Sequence, residues 1–258
     1  VGRSQQWDPA NNLDAPLPTL RNRDRDIKQF RYNLQSMKAI EGFSYVVPTV
    51  DWSAGTFFSA YNDNIVSQTQ SYYVRTSDNN VYVCIRSGKN ASGDAQNSTI
   101  LPDHIDNTLV PELDGYVWKY LYTLTTQDTN KFLTTAFMPV RFVDSDFSVA
   151  NPTYVSQWNV ARTAIPKQIV GYRVLNGGGP YVGTVPIGVV GNGSGAKARA
   201  VLNSSGAIAA IEVGDSANAP IDTCFGSGYD YANVTVSAAQ LSVGGTAATV
   251  VPIFGPAL

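Results

Sequence analysis

Hydrophobic positions along the chain change period three times, and each change predicts a different kind of structure. From Trp7 to Thr19 three prolines stand among Asn and Asp with no period, which predicts an extended loop lying on a neighbour. Ile27, Phe30, Leu34 and Met37 then recur at spacings of three and four, predicting an amphipathic helix over roughly 23–39 with Arg25, Asp26, Lys28, Arg31 and Lys38 on a mixed-charge solvated face. Beyond it the chain reads as strands. Phe43 to Val47 runs up to Pro48. Ser71 to Thr76 and Val81 to Arg86 flank the polar turn Ser77-Asp78-Asn79-Asn80 and predict a hairpin. Trp118 to Leu124 alternates Trp118, Tyr120 and Tyr122 against Lys119, Leu121 and Thr123; bulk on both sides predicts a strand covered on both faces. Between these lies Ser87 to Leu113, a long polar loop of the kind that carries function or an interface.

Glycine divides the chain: 6 of the 22 precede Gly171, and no Trp follows it. A linker is placed at Ile165-Pro166-Lys167, giving a β-rich region over 1–165 and a Gly-rich region over 166–258. The second region reads as two copies of a small β-unit, about 168–207 and 208–258. Ile169–Val174 matches Ile208–Val213, Tyr181 matches Tyr229, Val185/Ile187/Val189 match Val234/Val236, and Gly195-Ala196 matches Gly245-Thr246, with an insertion at 218–225. The expected fold class is mainly β with one N-terminal helix (α+β). The first region is expected to be sandwich- or barrel-like and the second a small β-repeat.

Composition narrows the chemistry. At 258 residues with 43% hydrophobic content, a packed core is available, and a net charge of -2 supplies no field to recruit nucleic acid or an anionic membrane. Aromatics at 11% against 15% charged residues suit large contact surfaces between proteins. No apolar run reaches the ~20 residues of a membrane span. Val1-Gly2-Arg3-Ser4 reads like the end of a strand, so a leading segment is expected before it.

Candidate catalytic groups are few. His104 is the only histidine and reads as a surface residue between Asp103 and Asp106. Cys84 and Cys224 match no metal or redox spacing and are expected as buried thiols. One His and scattered carboxylates give no metal set. Glu112 with Asp114, and Asp144 with Asp146, are the nearest acid pairs for glycoside hydrolysis, but both sit at turns where acids bond the local backbone. Ile187 to Ala196 imitates a strand and a G-x-G-x-x-A dinucleotide loop, with Glu212 or Asp215 as the ribose acid. Only Lys197 to Ser204 remains for the crossover helix, too short for a βαβ unit. No catalytic residue, cofactor, metal or small-molecule substrate is expected.

Asp114-Gly115-Tyr116-Val117-Trp118-Lys119-Tyr120-Leu121-Tyr122 resembles the D-G-Y-x-W-x-Y-L/M-Y/F segment of T-even-like myophage baseplate wedge proteins of the gene-eight type. Gly2-Arg3-Ser4-Gln5-Gln6-Trp7 resembles that family's G-R-S-x-x-W, and the helix carrying Phe30 and Met37 falls where the family has an aromatic, Met-containing helix. Val50-Asp51-Trp52 with Asn62-Asp63-Asn64-Ile65-Val66 resembles its R-D-W and N-D-I-V stretches, and Val81-Tyr82-Val83-Cys84-Ile85 its V-Y-x-C-L strand. The matches cover residues 1 to about 143; the Gly-rich tail is instead similar to β-repeats of cyanobacterial and marine phage tail and fibre proteins. The resemblance implies a non-enzymatic structural subunit of a contractile-tail baseplate, a homodimer that also contacts other wedge proteins in the virion and was assembled in the host cytoplasm. Trp7, Trp52, Tyr116, Trp118 and Tyr120 are the expected packing or interface anchors. The alternatives are a receptor- or glycan-binding tail component using Tyr181, Tyr229 and Tyr231, and a polysaccharide depolymerase.

Overall fold

The computed structural model describes residues 20–34, 42–63, 71–90, 94–142, 152–215 and 221–255. Two compact units divide the chain, 1–43 and 44–258. In the first, α1 (Leu20–Asn33) is the expected helix, beginning earlier than its apolar period. Its stripe is open: Ile27, Phe30 and Leu34 are exposed. Trp7, the Gly2-Arg3-Ser4 motif and Met37 lie outside the described residues.

The second unit opens with β1 (Val46–Pro48), β2 (Tyr73–Arg75) and β3 (Asn80–Arg86). The β2–β3 hairpin turns at Asn79, whose φ of 60° is one that asparagine tolerates better than most residues. Next come β4 (Leu109–Pro111), β5 (Val117–Thr123), the helix α2 (Thr126–Phe132) and β6 (Phe137–Pro139). Strands β2-β3-β5-β4 form one antiparallel sheet, and β1 pairs with β6 beside it. The sheet is open and does not close into a barrel. The fold is mainly β, and the described residues include two α-helices beyond the one expected. One is α2; the other is α3 (Pro152–Thr163), which packs on β5.

β5 is covered on both faces, with Val117, Trp118, Lys119 and Tyr120 all buried. Its alternation, however, breaks. Val81 lies opposite Tyr122 and Tyr82 opposite Tyr120, so Leu121 bulges out of the ladder. Cross-strand partners share a face, and Tyr122 therefore points away from the Trp118/Tyr120 side, into a small cluster with Val81, Leu124 and Met138.

The remaining strands are β7 (Ile169–Asn176), β8 (Gly179–Tyr181), β9 (Ile187–Gly191), β10 (Ser194–Ala196) and β11 (Ala198–Leu202), then β12 (Ile208–Val213), β13 (Phe225–Ser227), β14 (Ala232–Val236), β15 (Leu241–Thr246) and β16 (Thr249–Phe254). Their pairing is nested: β11 with β12, β10 with β13, β9 with β14, β8 with β15, β7 with β16, all antiparallel. The whole stretch is one ribbon doubled back at Asn203–Gly206.

This ribbon has an internal two-fold pattern. Ala198↔Val213, Arg199↔Glu212, Ala200↔Ile211 and Val201↔Ala210 repeat as Val250↔Val174, Val251↔Arg173, Pro252↔Tyr172 and Ile253↔Gly171, and both ladders shift register at the next step. Tyr181 N donates to Gly206 O as Tyr229 N donates to Lys167 O, and both acceptors have positive φ. The Tyr181 hydroxyl accepts from Ala248 N at 2.8 Å, and the Tyr229 hydroxyl from Ala196 N at 3.3 Å. At Gly178 a Cβ would meet Thr246 O and Ala248 N; at Gly226 it would meet Ser194 O and Ala196 N. Gly195-Ala196 therefore corresponds to Ala247-Ala248, two residues beyond the Gly245-Thr246 match read from the sequence. Each half contributes strands that the other half's strands require as partners.

Ile165–Lys167 lies within this second unit, and Lys167 is held by an ion pair to Asp230 at 2.7 Å. One buried cluster includes Phe58, Trp118, Ile169, Ile211 and Ile253, so the sheet and the ribbon share a core.

Candidate functional site

The Asp114-Gly115 turn is built to hold the polar loop. Gly115 has φ of 86°, which lets the chain reverse into β5 without a Cβ clash. Asp114, 5% exposed, then faces back: Oδ2 accepts from Thr99 N at 2.7 Å, Ile100 N at 3.0 Å and the Ser98 hydroxyl at 3.3 Å, while Oδ1 accepts from Tyr116 N at 3.2 Å. Trp52 Nε1 donates to the same Ser98 hydroxyl at 3.1 Å. A carboxylate accepting four bonds is spent on architecture and has no free oxygen for a sugar. Glu112 is only partly buried, and desolvation followed by the nearby Asp114 and Asp103 charges raises its pKa. Asp144 and Asp146 lie outside the described residues.

Behind the turn the aromatic side chains form the core. Tyr116 and Trp118 stack with centroids 5.6 Å apart and planes at 10°, and Phe58 meets both edge-on at 6.5 and 5.7 Å. The Tyr116 hydroxyl donates to Gln96 O at 2.8 Å and accepts from Phe58 N at 3.1 Å, pinning two loops to the strand. Tyr116, Trp118 and Tyr120 are fully buried; Trp52 is half-buried.

His104 is not the surface residue expected. Its ring packs edge-on against buried Tyr82 at 5.3 Å, and its carbonyl accepts the Tyr82 hydroxyl at 2.9 Å. Neither ring nitrogen has a partner in hydrogen-bond geometry, although the Trp118 backbone lies near enough to favour protonation. Burial dominates and lowers its pKa, against the opposing pull of Asp106 and Asp103. Cys84 and Cys224 are buried thiols as expected, and burial pushes the Cys84 thiol well up, away from the reactive thiolate. No group of three His, Cys, Asp or Glu able to hold a metal occurs among the described residues. No described helix is long and apolar enough to cross a membrane. The dinucleotide-like stretch leads into β10 and β11, strands where a binding loop needs a helix, and Glu212 pairs with Arg199 on the adjacent strand. Of the aromatics considered for glycan binding, Tyr181 and Tyr229 are buried and bonded to backbone; Tyr231 is exposed.

Two features escaped the sequence. One is a group of exposed apolar side chains at the β1–β6 pair, Val46 and Phe137 on the two short strands and Tyr45 (80% exposed), Val140 and Phe142 (88% exposed) beside them. Val140 N donates to Tyr45 O at 2.7 Å, which keeps the two segments side by side. The proximity of these apolar residues was hidden because the strands lie some ninety residues apart. The other is a cleft of about 320 Å³ between β3 and the ribbon, walled by Tyr61, Ile85, Tyr172, Ile211 and Ile253 and carrying Arg86, Lys89, Arg173 and Glu212. These charges come from β3, β7, β12 and the start of the polar loop.

No protein-family model, curated protein or solved structure matches the chain.

Proposed function

We propose that this chain is a structural subunit of a contractile-tail bacteriophage baseplate wedge, working in the virion by binding further copies of itself and other wedge subunits. The observation that carries the reading is the apolar surface at β1–β6. Val46 and Phe137 on the two short strands, and Tyr45, Val140 and Phe142 flanking them, leave large apolar side chains exposed, as proteins do where another chain is to cover them. The open apolar stripe of α1 supports the same reading. So does the order of the sequence motifs, with Asp114 fixed as a structural acceptor in the segment that carries the closest resemblance.

Imaging of an intact particle tests the proposal through copy number and neighbours: a wedge subunit occurs in multiples of six about the tail axis. In solution, the purified chain self-associates, and Tyr45→Ser with Phe142→Ser shifts it toward monomer in sedimentation experiments. A monomeric chain that releases reducing ends from host polysaccharide, or binds cell-surface sugar unaided, overturns it.

A further inference from the structure

The cleft between β3 and the ribbon is lined by more cations than carboxylates. Its lining carries three cations, Arg86, Lys89 and Arg173, and one carboxylate, Glu212. That carboxylate is already engaged: Arg199 Nη2 and Nε donate to its Oε2 at 2.8 and 3.2 Å, and Arg86 Nη1 stands 3.9 Å from the same oxygen. Arg86 also donates from Nε to Gly115 O at 3.3 Å, which fixes its guanidinium at the cleft wall. The Lys89 ammonium has no hydrogen-bond or ion-pair partner among the described residues, although the side chain is partly buried. Asp63, next to the lining residue Asn62, is exposed and acts on the Tyr61 and Tyr72 hydroxyls.

Partly buried cations are costly unless paired, and guanidinium forks with an ammonium beside them form the donor set that recognises tetrahedral oxyanions. Desolvation lowers the Lys89 pKa, with Glu212 opposing the shift and Arg86 adding to it. Apolar and tyrosyl residues share the lining with the cations, and the cleft has room for more than the anion itself.

We infer that this cleft binds a phosphate-type oxyanion, held by Arg86, Lys89 and Arg173, with space for a compact organic body against Tyr61 and Tyr172. The inference stands independently of the assembly reading, since it concerns a cleft within one copy of the chain.

Calorimetry and thermal melting of the full chain with inorganic phosphate and with glucose 6-phosphate, at constant ionic strength, test it. The expected result is saturable one-to-one binding with a rise in melting temperature. Lys89→Met melts no lower than wild type without ligand and loses roughly tenfold or more in affinity, while Lys89→Arg keeps binding. The exposed Lys131→Met on α2 changes nothing. Tighter binding of the sugar phosphate shows that the body is recognised; equal affinities show that the oxyanion alone is. Absence of saturable binding by either probe, or binding that Lys89→Met leaves unaltered, overturns the inference.

Discussion

Replacing Asp114 with alanine separates a structural carboxylate from a catalytic one. The substitution removes the acceptor for three backbone N–H groups, those of Thr99, Ile100 and Tyr116, and for the Ser98 hydroxyl that also holds Trp52. A hydrogen bond to a charged group contributes about 1.5–3 kcal/mol net, but Thr99 is exposed enough for water to replace part of its loss. Counting two bonds as fully lost puts the cost at about 3–6 kcal/mol. With a urea dependence of about 3 kcal/mol/M for a unit of this size, the unfolding midpoint falls by about 1 M or more. Asp114→Asn keeps one carbonyl oxygen, while its amide faces an N–H donor, so its midpoint lies between wild type and alanine. Leu113→Ala next door, at a site 99% exposed, stays within about 0.5 kcal/mol. The measurement is urea unfolding followed by tryptophan fluorescence, which reports on buried Trp118. An alanine variant whose midpoint lies within about 0.3 M of wild type refutes the view that Asp114 holds the loop.

Gly178→Ala and Gly226→Ala each place a methyl group against backbone at a positive φ, and each costs about 2–4 kcal/mol in chemical denaturation; Gly183→Ala, with positive φ but open space, costs about 1–2. Glu212→Gln leaves Arg199 and Arg86 without their carboxylate and lowers the melting temperature, whereas Lys197→Ala, at an exposed ion pair with Asp215, is nearly silent. Cys84 and Cys224 resist an aromatic disulfide reagent in the native protein and react only after unfolding. Tyr73, Tyr82, Tyr122 and Tyr172 have pKa values raised chiefly by burial. Their protons are held in the folded state after the unfolded chain releases them near pH 10, so stability falls as pH rises through that value. Tyrosinate absorbance from them appears in one step with unfolding; gradual ionisation with circular dichroism unchanged contradicts this.

How legible each element was depends on whether its signal is local. The β2–β3 hairpin was readable because Ser77-Asp78-Asn79-Asn80 can turn, and the Trp118–Tyr122 strand because both faces carry rings. Its bulge was not readable, since that depends on how β3 is registered against it. α2 had a signal that was missed: Thr125 accepts from Asp128 N and the Asp128 side chain accepts from Thr125 N, the reciprocal cap its spacing allows. Pro152 likewise stands at a helix start, though α3 buries only Gln157 and Val160 and so lacks a clear apolar period. The two halves of the ribbon could be matched by sequence, but not their nesting, because partners such as Gly171 and Ile253 are brought together only when the chain doubles back. The cleft was invisible for the same reason: Arg86, Lys89, Arg173 and Glu212 belong to separate segments and carry no common motif.

The nested ribbon has a mechanical consequence. Its first and last strands are each other's partners, and Gly255 N donates to Gln168 O at 3.0 Å just outside them, so the path into the ribbon and the path out run side by side. Pulling these two points apart loads the β7–β16 pair one rung at a time, like a zipper opened from its end. The Asn203–Gly206 bend, at the innermost pair, is the last to feel the force. A tether that drew on both paths together would leave the ladder intact. The ribbon would then resist tension or yield to it according to which neighbour holds which strand.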